Sequence, residues 1–248
     1  MTEPAENPLP PHPTLDGYYG EASRRERFVR DIFDETAEWY DWIIGFLSFG
    51  SGNWYRTEAL RRAGFGPGKT LLDVATGTGV VARAAAGISD QPKKIIGLDP
   101  SIGMLREARR KSDSHLVKGR GETLPFPDAS FDLITMGFAL RHVADLRALF
   151  AEFRRVLKPG GKVLIMEITA PRSRVGSAFL GLYLGRIVPS IARVRSGSAA
   201  AGKLMHYYWD TIRSCVPPET IVEALQAAGF AKVERKVELR LFSEYVAE

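Results

Sequence analysis

The stretch Leu71–Ala82 reads LLDVATGTGVVA, and its interpretation decides the fold. A short apolar run, LLDV, enters a turn that carries Gly77 and Gly79. VVARAAAGI follows and reads as a helix. A small-residue turn between a strand and the N-terminus of its helix lets a ligand approach the backbone and meet free N–H groups. GTGVVA fits the fingerprint G-x-G-x-x-[GA], and Asp99 stands twenty residues after Gly79, where a ribose-binding acid belongs. The pattern predicts an adenosine-containing cofactor. It leaves open whether the chemistry is hydride transfer from a nicotinamide or something else.

Outward from this turn the chain alternates. TLLDV, KIIGL, HLVK, FDLITMGF and KVLIMEI read as strands. Between them, SIGMLREARRK reads as a helix capped by Ser101, and DLRALFAEFRRVL as an amphipathic helix; KPGG reads as a turn into the fifth strand. Such alternation predicts a parallel, doubly wound sheet. Upstream, apolar residues recur at helical spacing from Ser23 to Trp42, and a second helix is predicted over Trp54–Ala63. Downstream, PETIVEALQAAGF reads as a helix, and KVERKVELR with LFSEYVA as a terminal hairpin. Residues 1–22, rich in proline, read as a disordered tail, and 23–248 as one domain.

Of the 248 residues, 45% are apolar, enough for one large α/β domain with a cover. The single cysteine, Cys215, excludes an internal disulfide framework, and the four dispersed histidines offer no metal-ligand spacing. No basic segment precedes an apolar run at the N-terminus, and no uncharged apolar stretch reaches the roughly 18–20 residues of a bilayer span. A cytoplasmic protein is therefore expected. The net charge of +5 is unevenly placed: no acid lies between Glu167 and Asp210, an interval holding Arg172, Arg174, Arg186, Arg193, Arg195 and Lys203. Such a cluster attracts phosphates of lipid or nucleic acid.

Asp73 separates the two cofactor readings. It stands near the end of the first strand, where a carboxylate would repel a diphosphate and favour a positive amino group or sulfonium. S-adenosylmethionine carries both and no phosphate. The plainer alternative for Asp73 is a loop-capping acid, and for Asp99 an N-cap of the next helix.

DVATGTG, LDPSIGML, GETLPFPDASFD and RRVLKPGGKVLIME occur in that order. They resemble the class I S-adenosylmethionine-dependent methyltransferases. VRDIFDETAEWYDWI, LSFG, ALRHVAD and HYYWDTIRSCVPPETIVEALQAAGF narrow the resemblance to the UbiE family, the quinone-biosynthesis C-methyltransferases, over about residues 26–246. The resemblance implies a Rossmann-like, seven-stranded doubly wound sheet with N-terminal helices and a helical cover inserted at about 172–205. It implies methylation of a polyprenyl naphtho- or benzoquinol in menaquinone or ubiquinone biosynthesis. It also allows peripheral membrane contact and a homodimer.

By similarity, Gly77, Thr78, Gly79 and Asp99 hold the cofactor, Arg120 and Gly121 lie on its adenine side, and Gly137 lies near it. Arg120 replaces the family's Asn or Asp, and a guanidinium cannot accept from the adenine amine. Gly137 replaces a frequent serine and is expected to widen the site. Arg141 is expected to stabilise an acceptor oxyanion. His142, where the family has Asn, is expected to take a proton, its unperturbed pKa near ~6.5 suiting a base; the alternative is a histidine bonded to backbone. Tyr40, of the YD pair, is expected to hydrogen-bond the acceptor, and Tyr207, Tyr208 and Arg213 to close the pocket. The apolar insert VGSAFLGLYLG, with its arginines, is expected to line a polyprenyl channel and rest on a membrane, or to be a packed helix pair. Competing readings are a methyltransferase for a lipid amine or secondary-metabolite phenol, an RNA methyltransferase, a nicotinamide dehydrogenase, and a non-catalytic relic that binds S-adenosylmethionine. No RNA-binding module is visible, so no nucleic-acid partner is expected.

Overall fold

The computed structural model describes residues 7–47, 50–169, 173–238 and 241–248. Seven strands form one sheet in the order β3-β2-β1-β4-β5-β7-β6. They are β1 (Leu71–Val74), β2 (Ile95–Asp99), β3 (His115–Lys118), β4 (Phe131–Gly137), β5 (Leu157–Ile168), β6 (Val233–Glu238) and β7 (Phe242–Ala247). β1 to β5 pair in parallel, and β7 inserts antiparallel between β5 and β6, so the terminal hairpin closes one edge. The expected KPGG turn is instead drawn into β5. Its extra residues are absorbed as a register shift opposite Phe131 and Leu133, with Gly160 at φ 74°.

The helices are α1 (Arg25–Leu47), α2 (Gly52–Arg62), α3 (Val80–Ala86), α4 (Ile102–Lys111), α5 (Leu146–Val156), α6 (Arg174–Leu182), α7 (Val188–Ser196), α8 (Ala199–Ser214) and α9 (Pro218–Ala227). One core packs α5 and α9 on the sheet through Leu149, Phe150, Phe153 and Leu225. A second packs α2 and α3 through Leu60, Val81 and Ala85. A third lies away from the sheet, where α1 meets α6 to α8 through Ile32, Ile43, Leu184, Leu204 and Tyr207. This third core is a helical cover over the carboxyl ends of β1, β2 and β4, where open α/β sheets bind ligands.

Residues 7–22 correct the expectation of a disordered tail. Leu9 donates from its N–H to Asp145 Oδ1 (2.9 Å) and accepts from Leu146 N, while Pro11 O accepts from Val216 N. His12 is buried, as is Tyr19. Proline removes donors but keeps its carbonyl. A proline-rich segment can therefore lie extended across helix ends and satisfy their N–H groups. Residues 1–6 lie outside the described residues, as do Ser48 and Phe49 of LSFG and Arg172 of the insert.

The insert is one continuous helical rod from Arg174 to Ser196, α6 and α7 joined through a wider π-helical stretch, Tyr183–Ile187. By length and composition an 18-residue window within it, with mean hydropathy 1.4, is apolar enough to cross a bilayer, although the rod also carries Arg174, Arg186, Arg193 and Arg195. An expectation based on uncharged runs misses such a helix.

Candidate functional site

The turn after β1 is wound tightly. Ala75, Gly77 and Gly79 all lie in the left-handed region, at φ 53°, 57° and 80°. A Cβ on Gly79 would also meet Ala108 Cβ of α4 at 3.3 Å, so the turn and α4 close on each other there. The winding turns Gly77 N–H toward Asp99 Oδ2 (2.8 Å), while Ser101 N–H donates to Asp99 Oδ1 (2.8 Å). Asp99 is thereby held at the tip of β2. Burial pushes its carboxyl up to about 6, against those two hydrogen bonds, with Asp73 and Asp34 adding to the rise. Ser101 caps α4 as expected, accepting from Met104 N at 3.0 Å.

Two cavities open beside this turn. The first, about 330 Å³, is lined by Gly77, Asp99, Arg120, Gly121, Gly137 and His142 among others. The second, about 180 Å³, is lined by Thr78, Arg56, Leu180, Tyr208 and Phe242 among others. Tyr40, Ala75, Gly77, Gly137 and Phe138 line both, so the cavities meet at these five residues. Phe138 stands there in the left-handed region, at φ 60°, with its N–H donating to Met166 O (2.7 Å).

The first cavity fits an adenosyl cofactor. A carboxylate closes the end of β2, where ribose hydroxyls need an acceptor. Gly121 is a cradle with no room for a side chain: a Cβ there would run into the buried Leu149 and Val74 side chains. Both ring nitrogens of His142 are buried without a partner, leaving polar atoms for a ligand to satisfy. Arg120, lining the first cavity, donates to Glu26 of α1 (2.7 Å), so its guanidinium ties α1 to the loop after β3.

α1 secures the loop with two acids that the sequence reading passed over. Asp34 Oδ1 accepts from Ser101 Oγ (2.6 Å) and Gly103 N (2.7 Å) at the start of α4. Asp41 accepts from Thr78 Oγ1, Arg83 and Lys111. Thr78 therefore spends its hydroxyl on α1, and it lines the second cavity and not the first. The second residue of the YD pair is thus a clamp between the cover and the glycine turn.

Four expectations are corrected. Asp73 faces neither cavity; its oxygens accept from Thr76 Oγ1 (2.5 Å) and Thr135 Oγ1 (2.8 Å), and burial pushes its carboxyl up to about 6. It is the loop-capping acid of the alternative reading. Gly137 does not widen the site, because Val81 Cγ2 lies 2.9 Å from where its Cβ would stand. Arg141 also lines neither cavity. It is fully buried, ion-paired with Glu167 at the end of β5, bonded to Thr211 Oγ1 (3.1 Å) and stacked over the Tyr208 ring at 3.9 Å. His142 does line the first cavity, but it is not poised near neutrality. Burial, followed by the charge of Arg141 and then by His12 and Arg25, holds it well below the ordinary histidine value. Its ring stacks on Tyr207 (5.4 Å) and meets the edge of Phe33 (5.3 Å).

Tyr40 stands where the cavities meet, packed on Phe33 (5.8 Å), and burial raises its phenol far above the ordinary value. It is a neutral hydrogen-bonding group. Tyr208 lines the second cavity, whereas Tyr207 supports His142 from behind.

A model of the ubiE/COQ5 methyltransferase family matches residues 21–238. The demethylmenaquinone methyltransferase of Symbiobacterium thermophilum is 33% identical over 85% of this chain and 87% of its own length. That of Chlorobaculum tepidum is 36% identical over 83% and 85%. The ubiquinone/menaquinone biosynthesis C-methyltransferase UbiE of Geobacter sulfurreducens is 34% identical over 82% and 80%. Among solved structures, phosphoethanolamine N-methyltransferase 2 of Haemonchus contortus, in complex with S-adenosyl-L-methionine, superposes with a TM-score of 0.61 at 20% identity, over 88% of this chain and 59% of that one. A methyltransferase of Thermotoga maritima gives 0.60 at 20% identity, over 88% and 98%. The sheet order, the first cavity and these relatives converge: the protein is an S-adenosylmethionine-dependent methyltransferase of class I fold, and it belongs to the ubiE/COQ5 methyltransferase family.

Proposed function

We propose that the protein methylates a ring carbon of a polyprenyl quinol, a naphthoquinol or benzoquinol, in quinone biosynthesis. The observation that carries this reading is the second cavity. It meets the cofactor cavity at Tyr40, Gly77, Gly137 and Phe138, and its far wall is Leu180, Tyr183 and Leu184 of the insert helix. The aromatic lining (Tyr40, Phe138, Tyr208) suits a flat ring, and Leu180 and Leu184 suit an isoprenoid tail.

When bound, S-adenosylmethionine supplies an electrophilic methyl group on a sulfonium. This chain's residues orient and exclude water. Asp99 accepts from hydroxyls, Gly77 and Gly121 permit close approach, and Phe138 and Tyr40 flank the opening between cavities. Positioning and desolvation of this kind supply much of the rate when the reagent is already activated. Arg141 serves as a positioning residue: it holds the Tyr208 ring from behind while Tyr208 faces the acceptor cavity.

The outer face of the same insert helix carries Val175, Phe179, Leu182 and Val194 into solvent, with Val175 82% and Val194 84% exposed. Arg174, Arg193 and Arg195 accompany them in a stretch without acids. We place this face on an anionic membrane surface, where it delivers a lipid-soluble acceptor to the cavity behind it. Each arginine near such a surface contributes about 1 kcal/mol.

The test is transfer of a carbon-13-labelled methyl group to demethylated polyprenyl naphthoquinol and benzoquinol, with the label located by NMR. Label on a ring carbon supports the reading. Label on oxygen, or transfer only to a lipid amine or simple phenol, overturns it. Flotation with phosphatidylglycerol vesicles and not with phosphatidylcholine tests the membrane face; loss of flotation in V175S/F179S/V194S is expected.

A further inference from the structure

Resting on the acceptor cavity just described, we propose that Arg56 is the anion-binding residue of that cavity, holding the ionised hydroxyl oxygen of the acceptor ring. Arg56 lies on α2 and lines the second cavity but not the first. Its residue is only 5% exposed. One guanidinium nitrogen, Nη1, donates to Gly52 O within its own helix (2.8 Å), and Nε is buried with no partner. Among the described residues no carboxylate pairs with it. Arg141, by contrast, spends its charge on Glu167 behind the cavity wall. Arg141 also leaves Nη2 without a partner, but its charge is matched by Glu167 and it lines neither cavity, whereas Arg56 lines the second cavity with no carboxylate paired to it.

The surroundings keep that charge available. Titratable groups act on Arg56 from each packed element: Tyr40 of α1, Tyr208 of α8, Asp73 of β1 and Tyr55 of α2. Burial raises the Tyr40 and Tyr55 phenols, and the oxygens of Asp73 accept from Thr76 and Thr135, so Asp73 attracts Arg56 without pairing directly with it. Burial accordingly pulls the guanidinium below its ordinary value. A guanidinium remains charged even so, because its reference value lies above 12. A buried cation without a direct ion-pair partner is costly alone and is stabilised when an anion arrives. The guanidinium carbon lies 5.1 Å from the centre of the Phe138 ring, at the boundary between the two cavities. An oxyanion held there sits beside the opening to the cofactor. An ionised hydroxyl raises electron density on the neighbouring ring carbon, so the site selects the reactive form of a hydroxylated ring. It also selects against neutral O-methyl ethers and against amines.

The experiment uses 2-naphthol, whose ionisation is read by absorbance and whose binding needs no methyl transfer. The enzyme is saturated with S-adenosylhomocysteine, and the pKa of bound naphthol is measured in wild type, Arg56→Met and Arg56→Lys. In wild type the bound value falls by one unit or more, about a tenfold preference for the anion. Arg56→Met abolishes the fall and Arg56→Lys retains part of it, while affinity for S-adenosylhomocysteine is unchanged. Equal naphthol values in wild type and Arg56→Met overturn the proposal, as does failure of wild type to bind naphthol. Loss of S-adenosylhomocysteine affinity with an unmoved naphthol value places Arg56 at the cofactor's carboxylate and also overturns it. Should Arg56→Met not fold, wild type alone decides: naphtholate must bind at least about tenfold tighter than 2-methoxynaphthalene. A wild-type enzyme that shifts naphthol yet methylates no quinol removes the proposed acceptor and leaves the anion site standing.

Discussion

Arg141 and Glu167 form a buried ion pair behind the second cavity, with the guanidinium also stacked over Tyr208, which lines that cavity, at 3.9 Å. Taking one partner from such a pair leaves an uncompensated buried charge, which costs about 3–5 kcal/mol. Glu167→Gln is expected to lower the urea midpoint accordingly. The double variant Arg141→Met/Glu167→Leu is expected to recover much of the loss, since apolar replacements of similar volume remove both desolvation penalties. S-adenosylhomocysteine affinity is expected to hold in both, because neither residue lines the cofactor cavity. An unmoved midpoint in Glu167→Gln would mean that the pair does not hold the cover.

His142 is expected to stay neutral through the working range, since burial and the charges of Arg141 and Arg25 depress it. His142→Asn should therefore leave the pH–rate profile between about 5 and 8 unchanged, where an unperturbed histidine would titrate. An acidic limb that vanishes in the variant would restore His142 as the proton acceptor.

Stability against pH provides a second reading of the same region. The folded-state value of His12 is lowered to about 4, and that of His142 is lowered too, so below the ordinary value of 6.5 the unfolded chain binds more protons. Their contribution is present above that value and is lost as pH falls toward 4. Asp73 and Asp99 are both pushed up to about 6 and act in the opposite sense over the same window, because the folded state binds their protons first. The wild-type curve of Tm against pH is expected to be nearly flat from 6 to 4.5. Asp73→Asn should expose the histidine slope, with Tm falling more steeply as acid is added. A slope unchanged by that substitution refutes the compensation.

Asp99 is expected to carry a pH dependence of cofactor binding. Its carboxylate must be ionised to accept hydroxyl donors, and burial places its midpoint at about 6. Calorimetry should show S-adenosylhomocysteine binding strengthening from pH 5 to 7. Asp99→Asn should flatten that dependence and weaken binding at pH 7.5 by roughly 10–100-fold, the range for hydrogen bonds to a charged group. A wild-type affinity independent of pH contradicts it.

Gly137 and Val81 occupy one space. With Val81 Cγ2 2.9 Å from the position of a Cβ, Gly137→Ser is expected to cost about 1–3 kcal/mol by overpacking. Val81→Ala in the same chain should relieve it, giving a favourable coupling in a double-mutant cycle. Additive effects would show that the two side chains do not compete.

Much of the architecture was legible because it is written in local patterns. The glycine turn after LLDV, the Ser101 cap, the strand–helix alternation and the terminal hairpin each depend on neighbours in sequence. Asp99, the last residue of β2, was reached from the spacing after the glycine turn, whereas Gly121 came only from the family resemblance; both line the first cavity. The cofactor was reached through Asp73, yet Asp73 faces two threonines and not the cavity. The charge was correctly located along the strand, but its direction depends on Thr135 of the neighbouring strand. Arg56, Asp34 and Asp41 gave no local signal, because each acts on a segment brought near it by folding of the cover.

The sequence by itself determined the sheet, its order of elements and the turn that receives an adenosyl group, for these arise from short-range propensity and periodicity. Only the tertiary structure decided which charges are spent and which remain free. Arg141 and Arg56 look alike in the chain. The end of β5 brings Glu167 to one and leaves the other facing a cavity, and that difference is made by residues more than twenty positions away.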